Sequence, residues 1–180
     1  MLTASVGHAQ STLQKPSITP VQSALVRTKT CRVATAQSIQ YSSQYAYYRV
    51  MAYAYSSPSS ARPPVKNVEL DFDGGTANVT ESVTFLEEGE LPGIIAALGQ
   101  IVATHSEAYK PTELKVGGQS FESKETLGFI TKGGMTVKYD LGESHVIIQT
   151  KPDAKYGLSK SETVKLMENL KTAKAVLEKL

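Results

Sequence analysis

Apolar and polar residues begin to alternate sharply at Val65. The pattern predicts a strand (KNVELDF), a turn at Asp73-Gly74-Gly75 and a returning strand (TANVTESVTF). Residues 91–106, LPGIIAALGQIVATHS, change to a helical period, with Ile94, Ile95, Leu98, Ile101 and Val102 as one stripe. Pro92 falls in the first turn of that helix, where its missing N–H costs little. Short strands are expected around Leu114–Val116, Ser120–Glu122, Gly128–Thr131, Thr136–Tyr139 and His145–Thr150, punctuated by Gly117-Gly118, Gly133-Gly134 and Gly142. A closing helix should run from about Lys160 to Leu180. Ser159 and Glu162 have the spacing of a capping box, and Leu166, Met167, Leu170, Ala173 and Leu177 form its apolar face.

Upstream of Val65 the pattern is less decisive. Residues 41–55, YSSQYAYYRVMAYAY, hold six of the nine tyrosines. Tyr41, Tyr45, Tyr48 and Ala52 line up at helical steps, while Tyr45, Tyr47, Arg49, Met51, Tyr53 and Tyr55 alternate as in a strand. A helix packed on the domain is the reading taken. Residues 56–65 then form a stiff linker, because the prolines of SSPSSARPP fix φ. Residues 1–40 are rich in Ser, Thr, Gln and Ala and carry only short aliphatic words. They are expected to be a disordered extension. The order of elements predicts an α+β fold: an antiparallel meander over 66–180, flanked by N- and C-terminal helices, with 41–180 as one domain. Without βαβ alternation a doubly wound parallel sheet is excluded.

Charge sharpens the division. Residues 1–68 contain no Asp or Glu but seven cations: Lys15, Arg27, Lys29, Arg32, Arg49, Arg62 and Lys66. Residues 69–180 carry all 17 acids against 12 Lys and Arg, a net −5. The leading cations are dispersed, so any contact with nucleic acid or anionic lipid should be weak and lost in salt, and no specific nucleic-acid partner is expected. The single cysteine, Cys31, rules out an internal disulfide framework and a cysteine-built zinc site. No run approaches the ~18 apolar residues of a membrane span.

Four motifs then fall in order. Leu114-Lys115-Val116-Gly117-Gly118-Gln119-Ser120-Phe121 is similar to the L-x-L-G-G-x-K-[YC] strand and turn of the profilin family. Lys132-Gly133-Gly134-Met135-Thr136-Val137-Lys138 is similar to its K-x-x-G-G-[IP]-T-[IF] strand. His145–Gln149 sits where profilins have an apolar strand, and Tyr156-Gly157-Leu158 precedes the closing helix as a glycine-leucine step does in the family. Over roughly 67–180 the chain thus resembles a divergent, archaeal-type profilin with an N-terminal extension. The resemblance implies a cytoplasmic, cytoskeletal actin-monomer binder that regulates polymerisation, acting as a monomer and without a cofactor. The positions that match the family's actin-binding face are Ser120, Glu122, Lys132, Thr136, Lys138, Tyr156, Gly157 and Lys160. Lys132, Lys138, Lys155 and Lys160 would aid encounter with acidic actin, and Tyr156 would be an aromatic anchor. The family's capture of proline-rich segments maps to Tyr41, Tyr45 and Tyr48, although this chain has no tryptophan and its closing helix has no aromatic residue. Phosphoinositide binding is implied without residues to assign.

No catalytic or metal site is expected. Asp71-Phe72-Asp73-Gly74-Gly75-Thr76 resembles the D-x-D-G-T loop of haloacid-dehalogenase phosphatases, but that chemistry needs a parallel sheet, so a hairpin turn is the reading taken. His105 and His145 stand apart from any ligand set, and no G-x-S-x-G or G-x-x-x-x-G-K motif occurs. The alternative function is an organelle-targeted α+β binding protein with a cleavable transit peptide and a partner other than actin.

Overall fold

The computed structural model describes residues 27–41, 44–57, 61–74, 81–105 and 109–180, without the side chains of 27, 34–41, 44, 45 and 81. Residues 1–26 of the expected extension, residue 75 of the expected turn and residues 76–80 of the expected returning strand lie outside that description.

Strands β1 (Arg27–Tyr41), β2 (Gln44–Ser56), β3 (Val65–Gly74) and β4 (Glu81–Glu87) form an antiparallel sheet in that order. A 3-10 turn at Glu88–Glu90 leads into α1 (Leu91–Thr104). Among the described residues β5 (Thr112–Val116) and β6 (Gln119–Ser123) pair only with each other. β7 (Thr126–Ile130), β8 (Thr136–Asp140), β9 (Val146–Lys151) and β10 (Ala154–Leu158) make a second antiparallel sheet, again in chain order, and α2 (Lys160–Leu177) closes the fold. The expected α+β class with antiparallel sheets and a C-terminal helix is what forms.

Two expectations for the first part of the chain are corrected. Of the segment 41–55, expected to be a helix, residues 44–55 are almost the whole of β2 and residue 41 ends β1, while residues 27–40, expected to be disordered, also belong to β1. The reason lies in β2 itself. Ala46, Tyr48, Val50, Ala52 and Ala54 are all at most 5% exposed, while Tyr47, Arg49, Met51, Tyr53 and Tyr55 point away from the core. A period of two buries every second side chain, which a helix would scatter around its circumference. The tyrosines and valine also suit a pleated, half-buried surface. β1 then covers the far edge of β2, with Cys31 and Val33 packed against the core, and the expected single meander becomes two.

One core joins the layers. Phe72 of β3 stacks on Tyr156 of β10 with ring centroids 4.6 Å apart and lies 6.0 Å from Tyr48. The Ser82 hydroxyl of β4 bonds to that of Thr150 on β9, so the two sheets meet there as well. Leu91, Ile94, Leu98 and Ile101 of α1 and Leu166, Leu170, Ala173 and Leu177 of α2 are buried in the same core. The capping box at the start of α2 forms as expected. Ser159 Oγ accepts from the Glu162 backbone N–H at 3.4 Å, and Glu162 Oε2 accepts from the Ser159 N–H at 2.7 Å. At its other end Lys66 donates to the Leu177 carbonyl and Lys29 to that of Leu180, at 3.2 Å for the latter. Cations at a helix C-terminus satisfy orphan carbonyls and complement the dipole.

The β5–β6 ribbon turns on Gly117 and Gly118, both with positive φ (58° and 78°), the two-residue hairpin geometry that strand twist favours. Tyr109 ties the end of the ribbon to the start of β7: its hydroxyl donates to Ser123 O at 3.0 Å and accepts from Glu125 N–H at 3.1 Å.

Candidate partner-binding face

The outer face of β7–β10 is built by strand alternation. Register places Ile130, Thr136, Gln149 and Lys155 in one row, and Gly128, Lys138, Ile147 and Gly157 in the next. The opposite faces of the same strands supply Val137, Tyr139, Val146, Ile148, Ala154 and Tyr156 to the core. A depression of about 340 Å³ opens on this outer face, lined by Lys138, Asp140, Glu143, Ser144, His145, Ile147, Gln149 and Lys155.

Lys138 and Lys155 are exposed, and among the described residues neither has an ion-pair partner. Their ammonium groups are available to an incoming acceptor. The neighbouring groups are partly committed: Thr126 Oγ1 donates to Asp140 Oδ1, Gln149 Nε2 donates to Pro152 O at 3.0 Å, and His145 Nδ1 lies 2.7 Å from Ser144 Oγ. The face therefore offers two cations beside two carboxylates that are already engaged, Asp140 by Thr126 and Glu143 by Lys124, a polar recognition surface with a small apolar floor at Ile147. Among the described residues no group of three or more His, Cys, Asp or Glu is placed to hold a metal ion, and no helix is long and apolar enough to cross a membrane.

Of the eight positions matched to an actin-binding face, Thr136, Lys138 and Gly157 come together here, of which Lys138 is exposed, Thr136 half-buried and Gly157 buried. Ser120 and Glu122 sit apart, on the β5–β6 ribbon opposite Lys115 and Glu113. Lys132 occupies the β7–β8 turn, where its ammonium pairs with Glu87 and its backbone N–H donates to Glu90 Oε1 at 3.1 Å. The hydrogen bond and charge of Glu87 raise the Lys132 pKa, so its cation is held by the fold's own carboxylates. Lys160 is the first residue of α2 and is half-buried.

Tyr156, expected as the exposed anchor, is 1% exposed, and Tyr48, expected in a polyproline surface, is also 1% exposed. Both point inward because they occupy the core-facing phase of β10 and β2. Tyr41 ends β1 and Tyr45 follows the first residue of β2, so the helical row that would have joined them to Tyr48 does not exist; their own side chains lie outside the described residues. Ile147 and Gln149 were missed as members of the face. Their alternation is visible in the sequence, but only the register places them beside Lys138 and Lys155.

Comparison of the chain with protein-family models, with curated proteins and with solved structures finds no match.

Proposed function

We propose that the protein is a non-catalytic binding module that takes an acidic protein surface on the outer face of β7–β10, with an actin monomer as the first partner to test. The observation that carries this reading is the pair of exposed lysines, Lys138 and Lys155, without an ion-pair partner among the described residues and on one regular sheet face with Thr136. A rigid sheet presents its side chains at fixed spacing, and cations on it steer an acidic partner and set orientation. Actin comes from the profilin resemblance of the β5–β10 segment, three of whose matched positions fall on this face.

The test is a titration of the isotope-labelled protein with monomeric actin, read by NMR. Binding should shift Thr136, Lys138, Ile147, Gln149 and Lys155, and a Lys138→Glu/Lys155→Glu double variant should weaken it by about tenfold or more. Absence of any shift at a large excess of actin would remove actin as the partner.

The strands observed where the resemblance implied an N-terminal helix favour a second reading: the same lysine face serving a partner other than actin, in an organelle reached by a cleaved leader. N-terminal sequencing of the native protein separates the two, since the second requires a mature chain whose first residue lies after Met1 and no later than the start of β1.

A further inference from the structure

On the other sheet, β3 places a carboxylate in an uncommon position. Asp71 belongs to the outward-facing set of an inner strand, yet it is only 4% exposed. Arg49 lies directly across from it on β2 and pairs with Oδ2. Val83 lies across on β4 and has no donor to offer. Asp71 Oδ1 is buried and has no hydrogen-bond partner among the described residues. A buried acceptor left unpaired costs about 1–3 kcal/mol, more when charged, so such atoms persist where something outside the fold satisfies them.

The surroundings say what that group is. Asp73 follows two residues later on the same face, exposed, and is paired across the sheet with Tyr47, which is 47% exposed. These two residues, with Arg49 and Asp71, line a depression of about 310 Å³. Glu69, two residues before Asp71, adds a third carboxylate to the outer face of β3. Arg49 compensates one of the three, so the local field is negative although the whole chain is net +2. An anion is excluded by this field. A chelated metal is disfavoured by a guanidinium already seated on Asp71 and by the lack, among the described residues, of a third ligand in the depression. An aromatic face beside two carboxylates suits a cationic nitrogen, which donates N–H bonds to the acids while its charge rests on the ring.

We propose that the Tyr47–Arg49–Asp71–Asp73 depression binds an alkylammonium or guanidinium group, donating to Asp71 Oδ1 and Asp73 and lying against the Tyr47 ring. The volume fits the end of a lysine or arginine side chain, and a free polyamine carries the same chemistry. This site is independent of the lysine face on β7–β10 and opposite to it in charge preference.

The experiment titrates the full-length protein with spermidine, and separately with a tetra-arginine peptide, by calorimetry and NMR at low salt. A Gly-Ser peptide is the blank, and Glu168→Gln on the exposed surface of α2 controls for diffuse charge. At least one cationic probe should bind and shift the resonances of Tyr47, Asp71 and Asp73. Asp73→Asn and Tyr47→Leu should each weaken binding, Asp73→Asn by about tenfold, the size of one charge-assisted hydrogen bond. Asp71→Asn should abolish binding, and because it also breaks the Arg49 pair its melting curve is recorded; the exposed Asp73 keeps the test intact if that variant does not fold. Preference for spermidine assigns the site to free polyamines, and preference for the peptide assigns it to a basic side chain of a partner. Failure of both probes to bind at millimolar concentration overturns the proposal. So does equal weakening by Glu168→Gln, or binding unchanged in Asp73→Asn and Tyr47→Leu.

Discussion

Asn169 on α2 donates a hydrogen bond across 3.2 Å to the hydroxyl of Tyr48 on β2. The contact pins the closing helix to the inner face of the first sheet, 121 residues away in sequence. It also supplies a donor to an oxygen that would otherwise be stranded in the core. Burial dominates the titration of that phenol, raising its pKa from 10.0 to about 12; the Asn169 bond opposes the shift, and the charge of Glu162 adds to it.

A pH dependence follows with a definite sign. Between pH 10 and 12 an unfolded Tyr48 releases its proton while the folded one retains it, so the folded state binds more protons and stability falls as pH rises. The slope from this one group is about 1.4 kcal/mol per pH unit within that window, and it is absent below pH 10. Urea unfolding of the wild type and of Tyr48→Phe at pH 9, 10.5 and 11.5 isolates it. The stability difference between the two proteins should move in favour of the phenylalanine variant as pH rises, and a constant difference would disprove the buried phenol.

Tyr156 behaves differently from Tyr48: burial raises the pKa of its phenol and the nearby Ser82 hydroxyl opposes that rise, but the contact falls short of a full hydrogen bond, so the hydroxyl stays unsatisfied among the described residues. Removing an unsatisfied buried hydroxyl while keeping the ring is neutral or stabilising. Tyr156→Phe should therefore hold or raise the melting temperature and leave partner binding unchanged. Tyr156→Ala, which also removes the stack on Phe72, should cost about 3–5 kcal/mol. Weaker partner binding by a fully stable Tyr156→Phe would return this residue to the surface.

Gly128 lets β7 approach β8 closely. A Cβ there would lie 2.5 Å from the Val137 carbonyl oxygen, a backbone atom that cannot move without breaking the ladder. Gly128→Ala should destabilise by about 1–3 kcal/mol, with faster amide exchange in β7 than in β1–β4. Wild-type exchange in the variant would show that the two strands are farther apart than described.

β1 predicts the result of truncation. A chain lacking residues 1–41 loses the strand that pairs along β2, the core contacts of Cys31 and Val33, and the Lys29 bond to Leu180. The apolar contacts alone suggest a loss of about 2 kcal/mol or more. Denaturant midpoints of the two chains measure it, and equal stability would mean that β1 is an ornament rather than part of the fold.

Much of the second half was legible residue by residue. Ser159 and Glu162 announced the cap of α2, Gly117-Gly118 announced the tight turn of the ribbon, and the stripe from Ile94 to Ile101 announced the face of α1. These are local signals, set by backbone sterics and hydrogen bonds within a few residues. The site was harder to read. Lys138 and Lys155 are 17 positions apart and become neighbours only because β9 lies between them in register. Tyr48 and Tyr156 looked like surface aromatics because composition does not reveal the phase of a strand. β10, with AKYGL, was too short and too interrupted by glycine to stand out.

By itself the sequence determined the chemistry of each segment: an acid-free first third, an alternating or helical period, caps and turns at marked residues. Tertiary structure alone decided which of two periods the segment from Tyr41 to Tyr55 would obey. Both patterns were written there, and a strand won because its alanines and valine could be buried together under α2 while β1 and β3 satisfied its backbone. It also decided that Asp71 would be submerged and Asp73 left in water, since burial depends on what neighbouring strands place alongside, and no local pattern carries that information.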